Sequence, residues 1–397
     1  MKIFHCDNCQ NVVFFENLSC AQCGHELAFV PALGAITAIV AADENLWQRA
    51  LPPDAHAEAT PPQYRKCQNY VIGNICNWAV AADDPNPLCV SCRLTQTIPD
   101  LDQPGYRDAW FRLESAKRRL VYSLLELRLP ISSKLEDPSA GVAFEFLADR
   151  PPADGVENHV LTGHDKGIIV INVAEADDAE RERRRVQMHE PYRTLLGHLR
   201  HEIGHYYWDR LIRDSDRLDA FRAQFGDETQ DYGETLQAYY ANGAPPDWQQ
   251  RFVTAYASAH PWEDWAETWA HYLHITDTLE TADTCGLSLQ PQRDDEPKLA
   301  LQPVLMNPAE QDFDRMIERW FPLTYLLNNL NRGLGLPDAY PFVLSMPALE
   351  KLRFVHETLA PQAQQPVSPS QTQVQSQSTH QARELATTPP VRRAAAS

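Results

Sequence analysis

Eight of the nine cysteines fall within the first 92 residues, and no other feature restricts the fold of this chain so strongly. Cys6-x-x-Cys9 and Cys20-x-x-Cys23 form two matched pairs with ten residues between them. Each pair puts two thiolates on one tight turn, and two such turns can close a tetrahedral four-sulfur shell. Gly24, directly after the second pair, suits a knuckle turn. Cys67, Cys76, Cys89 and Cys92 follow with the spacing C-x8-C-x12-C-x2-C and predict a second four-cysteine site. A lone Cys-x-x-Cys also fits a redox dithiol, but two matched pairs in so short a segment fit metal better. Both sites are therefore expected to hold structural zinc, with His5 and His25 outside the shell. All-cysteine sites leave no open coordination position, so their work is folding or contact with a partner protein, not chemistry. Cys285 is left over and reads as a small core residue.

The formal net charge is −19, from 35 Lys+Arg against 54 Asp+Glu. An acidic surface repels phosphate backbones, so a nucleic-acid partner is not expected. The basic run Arg181, Arg183, Arg184, Arg185 reads as a solvated helix face. Met1 to Phe4 runs straight into cysteines with no apolar leader, and no stretch approaches the roughly 20 apolar residues that span a bilayer. The expectation is a cytoplasmic protein without a membrane contact, in a compartment where thiols stay reduced and bind metal.

Residues 1–30 form the first cysteine module. Residues 31–63 are expected to be a connector ending in a Pro-rich stretch, and residues 64–104 a second zinc module. Residues 105–360 read as one larger, mostly helical domain. Residues 361–397, rich in Gln, Ser, Thr, Pro and Ala, read as a disordered tail. Within the large domain the apolar spacing predicts a helix over 108–129, strands over 143–147 and 167–173, and helices over about 191–212 and 262–275. A further helix is expected over 312–330, interrupted near Pro322.

The segment Gly197 to Trp208 contains His201-Glu202-x-x-His205. On a helix the two histidines lie one turn apart on one face, where both imidazoles can reach one zinc. Glu202 beside them can take a proton from water held by that metal. Two histidines on a polar helix face would give the same pattern, so a third ligand is needed, because a catalytic zinc takes three protein ligands plus water. Downstream stand Glu263 and Glu267, four apart and so on one helix face. One can bind the metal, while the other can accept the free N–H of a ligating histidine. His198, one turn before His201, could touch the site but reads rather as a structural hydrogen-bonding residue. His260 reads equally as a substrate-side residue or as a cap or surface residue, and His271 and His274 read as packing or surface residues.

The pairing of H-E-x-x-H with Glu263-x-x-Ala266-Glu267 resembles the gluzincin peptidases. It follows the pattern of the minimal gluzincins related to anthrax lethal factor and the clostridial Pro-Pro endopeptidases. That resemblance implies that Glu263 is the third zinc ligand, Glu267 the residue that orients a ligand, and Tyr256 the group facing the substrate oxyanion. Asp264 and Trp265 depart from the two aromatics favoured there. More broadly, the chain is similar to a family of bacterial zinc-binding metallopeptidases with an N-terminal zinc ribbon. The likeness rests on the ribbon, Cys89-Val-Ser-Cys92-Arg-Leu-Thr, Ile171 to Asp177, Tyr192 to His198 and His201 to Asp209. It implies an α+β fold, a mostly helical zincin-like domain with a small sheet behind zinc-ribbon and zinc-knuckle modules. It also implies hydrolysis of a peptide or protein substrate by Glu202-activated water, with one catalytic and two structural zinc ions. In such enzymes the strand over 167–173 would be the cleft edge that pairs with extended peptide. The alternative is an inactive adaptor that keeps its ribbon zinc and lacks the third site.

Overall fold

The structure is a computed structural model that describes residues 2–52, 61–149, 160–187, 194–293, 295–300 and 312–363. It is mixed helix and sheet, with two four-cysteine clusters in its N-terminal region and a mostly helical C-terminal part. The chain opens with a hairpin of β1 (Phe4–His5) and β2 (Val12–Val13), which holds the first cysteine pair in its turn. Next come β3 (Glu26–Val30), β4 (Ala35–Asp43), β5 (Leu46–Arg49), β6 (Tyr64–Lys66), the short helix α1 (Gln68–Gly73) and β7 (Ala79–Ala81). Strands β3 to β7 form one antiparallel sheet in sequence order.

This sheet corrects the expectation of a connector over 31–63. Segment 35–43 mixes alanines with the β-branched Ile36, Thr37, Ile39 and Val40. It is a central strand, with β3 and β5 satisfying its backbone from both sides. The two cysteine modules thus share one sheet. The expected linker residues 53–60 lie outside the described residues.

A second sheet has the order β10-β11-β9-β8 and is built from β8 (Thr95–Thr97), β9 (Ala143–Leu147), β10 (Gly163–Asp165) and β11 (Ile168–Asn172). Helix α2 (Tyr106–Glu126) runs between β8 and β9 in sequence. The edge strand facing the active-site helix is β10, not the strongly β-branched β11. The chain reverses through Lys166 and Gly167, both at positive φ, and lays β10 antiparallel on the outside of β11. Three residues with little apolar pattern gave no strand signal.

The remaining helices are α3 (Asp178–Gln187), α4 (Leu195–Leu211), α5 (Leu218–Phe225), α6 (Tyr232–Asn242), α7 (Pro261–Thr284), α8 (Phe313–Gly333) and α9 (Met346–Ala363). Pro191, expected in the first turn of α4, lies outside the described residues, as do Tyr192 and Arg193. Thr194 caps α4 instead, accepting from the Gly197 N–H at 3.0 Å. Helix α8 is continuous through Pro322, because Trp320 and Leu323 on either side are buried and hold both halves in the core. Residues 364–397 of the expected tail lie outside the described residues. Cys285 is exposed at the C-cap of α7 and is not a core residue.

One continuous core runs from Phe4 to Leu359. The ribbon contributes Phe4, Phe15 and Phe29, which surround Tyr122 of α2, and Trp78, which packs on Phe15 and Phe29. The Tyr122 hydroxyl reaches Glu280 of α7 at 3.0 Å, so the cysteine modules pack into the same core as the long helices. No helix among the described residues is long and apolar enough to cross a membrane.

Helices α4 and α7 cross closely at Gly204. A Cβ there would meet Ala266 Cα at 3.1 Å and the Trp269 side chain at 3.2 Å. The Trp265 indole N–H donates to the Gly204 carbonyl at 2.9 Å and clamps the crossing. Gly204→Val should therefore destabilise by about 1–3 kcal/mol through overpacking, read as a lower denaturation midpoint.

Candidate active site

Helix α4 projects His201 and His205 toward α7, which returns Glu263 from its first turn. His260 starts α7 by accepting from the Trp262 N–H at Nδ1, 3.0 Å, and Pro261 takes the first helical position. The other ring nitrogen of His260 faces the Gln230 carbonyl at 3.3 Å, so this residue is a cap bridging two segments.

His201 Nε2 and His205 Nε2 lie 3.2 Å apart. Glu263 Oε2 is 2.9 Å from His201 Nε2, and its Oε1 is 3.6 Å from His205 Nε2. A tetrahedral zinc shell with bonds of about 2.0–2.2 Å has ligand-to-ligand edges of about 3.3–3.6 Å. The two imidazoles and Glu263 Oε2 gather within a few tenths of an ångström of those edges at 3.2 and 2.9 Å, close enough to close on one ion. The protonation fits too, because His201 Nδ1 faces Glu267 Oε1 at 2.6 Å and donates there. A metal-bound, neutral ring would then turn its Nε2 lone pair to the ion. Beside it the Glu263 Oε2 is buried with no hydrogen-bond partner, an acceptor suited to a cation.

Glu267 is itself fixed by Thr254, whose hydroxyl donates to Oε2 at 2.7 Å. Burial opposes charge on Glu263, yet the imidazoles of His205 and His201 prevail and hold its carboxyl well below the usual range. Burial raises the Glu202 carboxyl, against the pull of both imidazoles. Tyr256 lies in a short 3-10 turn with its ring centroid 6.0 Å from that of His201. The departure at Asp264 also has its partner: the buried carboxylate accepts from Lys351 of α9 at 2.6 Å.

His198 Nδ1 lies 3.4 Å from the buried Glu175. His271 pairs with the Tyr340 hydroxyl at 2.6 Å, and His274 with Arg200. Of these three only His271 is buried; His198 and His274 are partly exposed. In the ribbon, Cys6–Cys23 and Cys9–Cys20 sulfurs are 3.6 Å apart, and Cys76–Cys89 sulfurs 3.7 Å. Edges of about 3.8 Å follow from zinc–sulfur bonds of about 2.3 Å. Cys67 and Cys92 complete the second cluster, and every one of these thiols is free of a disulfide. The ring of His25 lies 3.3 Å from Cys23, beside the shell.

A family model described as "Putative zinc-binding metallo-peptidase" matches residues 106–358. The chain belongs to this zinc-binding metallopeptidase family. A zinc-ribbon domain model matches residues 3–103 of the same family member. Similar chains include uncharacterised proteins of Mycobacterium tuberculosis and Mycobacterium bovis. Each is 43% identical over 358 residues, covering 90% of this chain and 94% of the relative. No solved structure matches the chain.

Three residues beside the site have no counterpart in the sequence reading. Thr254 had no signal at all. His164 on β10 stacks 6.2 Å from His205, and as a lone histidine before a strand it was not legible. Tyr232 donates its hydroxyl to Glu263 Oε1 at 2.6 Å. Its helix was findable: Asp231 accepts from the Glu234 N–H at 2.9 Å, the local signature of an N-terminus.

Proposed function

We propose that this family member is a zinc-dependent metallopeptidase, hydrolysing peptide bonds in a peptide or protein substrate. The reading is carried by one observation, the convergence of His201 Nε2, His205 Nε2 and a Glu263 oxygen from two helices with Glu202 alongside. His201, His205 and Glu263 would hold the ion, leaving one position for water. When bound, zinc would polarise the scissile carbonyl and lower the pKa of water toward about 7. Glu202 takes the proton from the attacking water and returns it to the leaving amine. The Tyr256 phenol stabilises the oxygen on which charge develops. Glu267, held by Thr254, keeps the proton of His201 on Nδ1 and so presents Nε2 to the ion. The exposed edge of β10 offers backbone groups to an extended peptide. Residues 105–360 form the catalytic unit in this reading, and Cys6, Cys9, Cys20, Cys23 with Cys67, Cys76, Cys89, Cys92 hold two structural ions.

Metal analysis separates this enzyme from an inactive ribbon adaptor. The purified full-length chain should carry about three zinc ions, and Glu263→Gln about two. Two ions in both proteins would overturn the assignment. A peptide-library digest read by mass spectrometry should then show cleavage by wild type alone.

A further inference from the structure

The structure assigns to Tyr232 of α6 the task of holding the Glu263 carboxylate one-handed on the metal, by a hydrogen bond that occupies its second oxygen. This inference rests on the metallopeptidase reading above and deepens it.

The geometry is specific. The Tyr232 hydroxyl donates to Glu263 Oε1 at 2.6 Å, while Oε2 is the oxygen 2.9 Å from His201 Nε2. The phenol ring is set edge-on against His260, centroid distance 5.3 Å, and against Trp262, 5.9 Å. These are the residues that cap and begin the helix carrying Glu263. Core packing does not explain the contact, because α6 buries none of its own residues and Tyr232 is 40% exposed. The surface helix reaches the site through its aromatic side chains: Tyr239 also packs edge-on against Tyr256 at 5.7 Å.

The chemistry follows from counting oxygens. A carboxylate can bind zinc with one oxygen or straddle it with both. Straddling consumes the position that attacking water needs. A charge-assisted hydrogen bond to Oε1 makes that oxygen a poorer ligand and orients the other. Tyr232 acts through Glu263, so it is a positioning residue, distinct from Tyr256.

The test uses full-length protein, with the histidine–glutamate site emptied by a mild chelator while the cysteine sites stay loaded. Cobalt(II) is titrated into wild type, Tyr232→Phe and Tyr256→Phe, following the visible absorption of the bound ion. Tyr232→Phe should bind about tenfold to a hundredfold more weakly. Its bands should also weaken, as the second Glu263 oxygen joins the shell as a fourth protein ligand atom. Tyr256→Phe should match wild type in both. Equal affinity and equal spectra for wild type and Tyr232→Phe would overturn the role of Tyr232 alone. If wild type takes up no cobalt after chelation, both this inference and the metallopeptidase reading fall.

Discussion

Glu202→Gln should abolish the proposed hydrolysis while the zinc content stays at the wild-type value. The side chains are nearly identical in shape, but the amide cannot accept a proton from water. Positioned general bases contribute about 10²- to 10⁴-fold, so turnover should drop by at least about 100-fold. Stability should not drop with it. Glu202 is buried, and burial already favours its neutral form, so a neutral amide meets no new desolvation cost. The proposed ligands His201, His205 and Glu263 are untouched, and the metal should remain. Peptide digestion, metal analysis and a thermal midpoint on the same preparation check all three statements. Wild-type turnover in this variant would remove Glu202 from the mechanism.

Lys351→Met should cost about 3–5 kcal/mol of stability, the typical penalty for stranding one partner of a buried ion pair. Lys351 and Asp264 are both buried. The ammonium donates to Asp264 Oδ2 at 2.6 Å and to the Arg251 carbonyl at 2.9 Å, and lies 4.2 Å from the centre of the Phe252 ring. Burial already pushes the Asp264 carboxyl up to about 7 against the pull of Lys351, so without the ammonium it would take up a proton or water would enter. Asp264 directly follows Glu263, so the disturbance falls on the first turn of α7. Catalysis should weaken in parallel with stability. Adding Asp264→Asn to Lys351→Met removes the stranded charge and should restore most of the loss, because neutral replacement of a whole buried pair is often tolerated. Denaturant titration of the two single variants and the double variant decides the matter. A cost below about 1 kcal/mol for Lys351→Met would show that the pair contributes no more than a surface contact.

Local chemistry was legible in the linear chain wherever ligand spacing is short. Cys6-x-x-Cys9, Cys20-x-x-Cys23 and His201-Glu202-x-x-His205 announce themselves because a single turn of backbone already brings their side chains together. The 108–129 periodicity likewise anticipated α2. Long-range pairings were a different case. Segment 35–43 is apolar enough for a strand, but its place in the middle of a sheet is set by the two neighbours that hydrogen-bond it, and three residues of β10 became a sheet edge only because the chain reverses at Gly167.

The amino-acid order alone therefore determined which residues can bind metal, and the helical frames that present them in pairs. The tertiary structure decided the rest: which carboxylate meets the two imidazoles, that Glu267 reaches His201 Nδ1 rather than an ion, and that Tyr232 and Lys351 brace the helix bearing Glu263. The reason is physical. Spacing along a helix constrains neighbours three or four residues apart, whereas contacts 31 or 87 residues apart are set by how helices pack around a shared core.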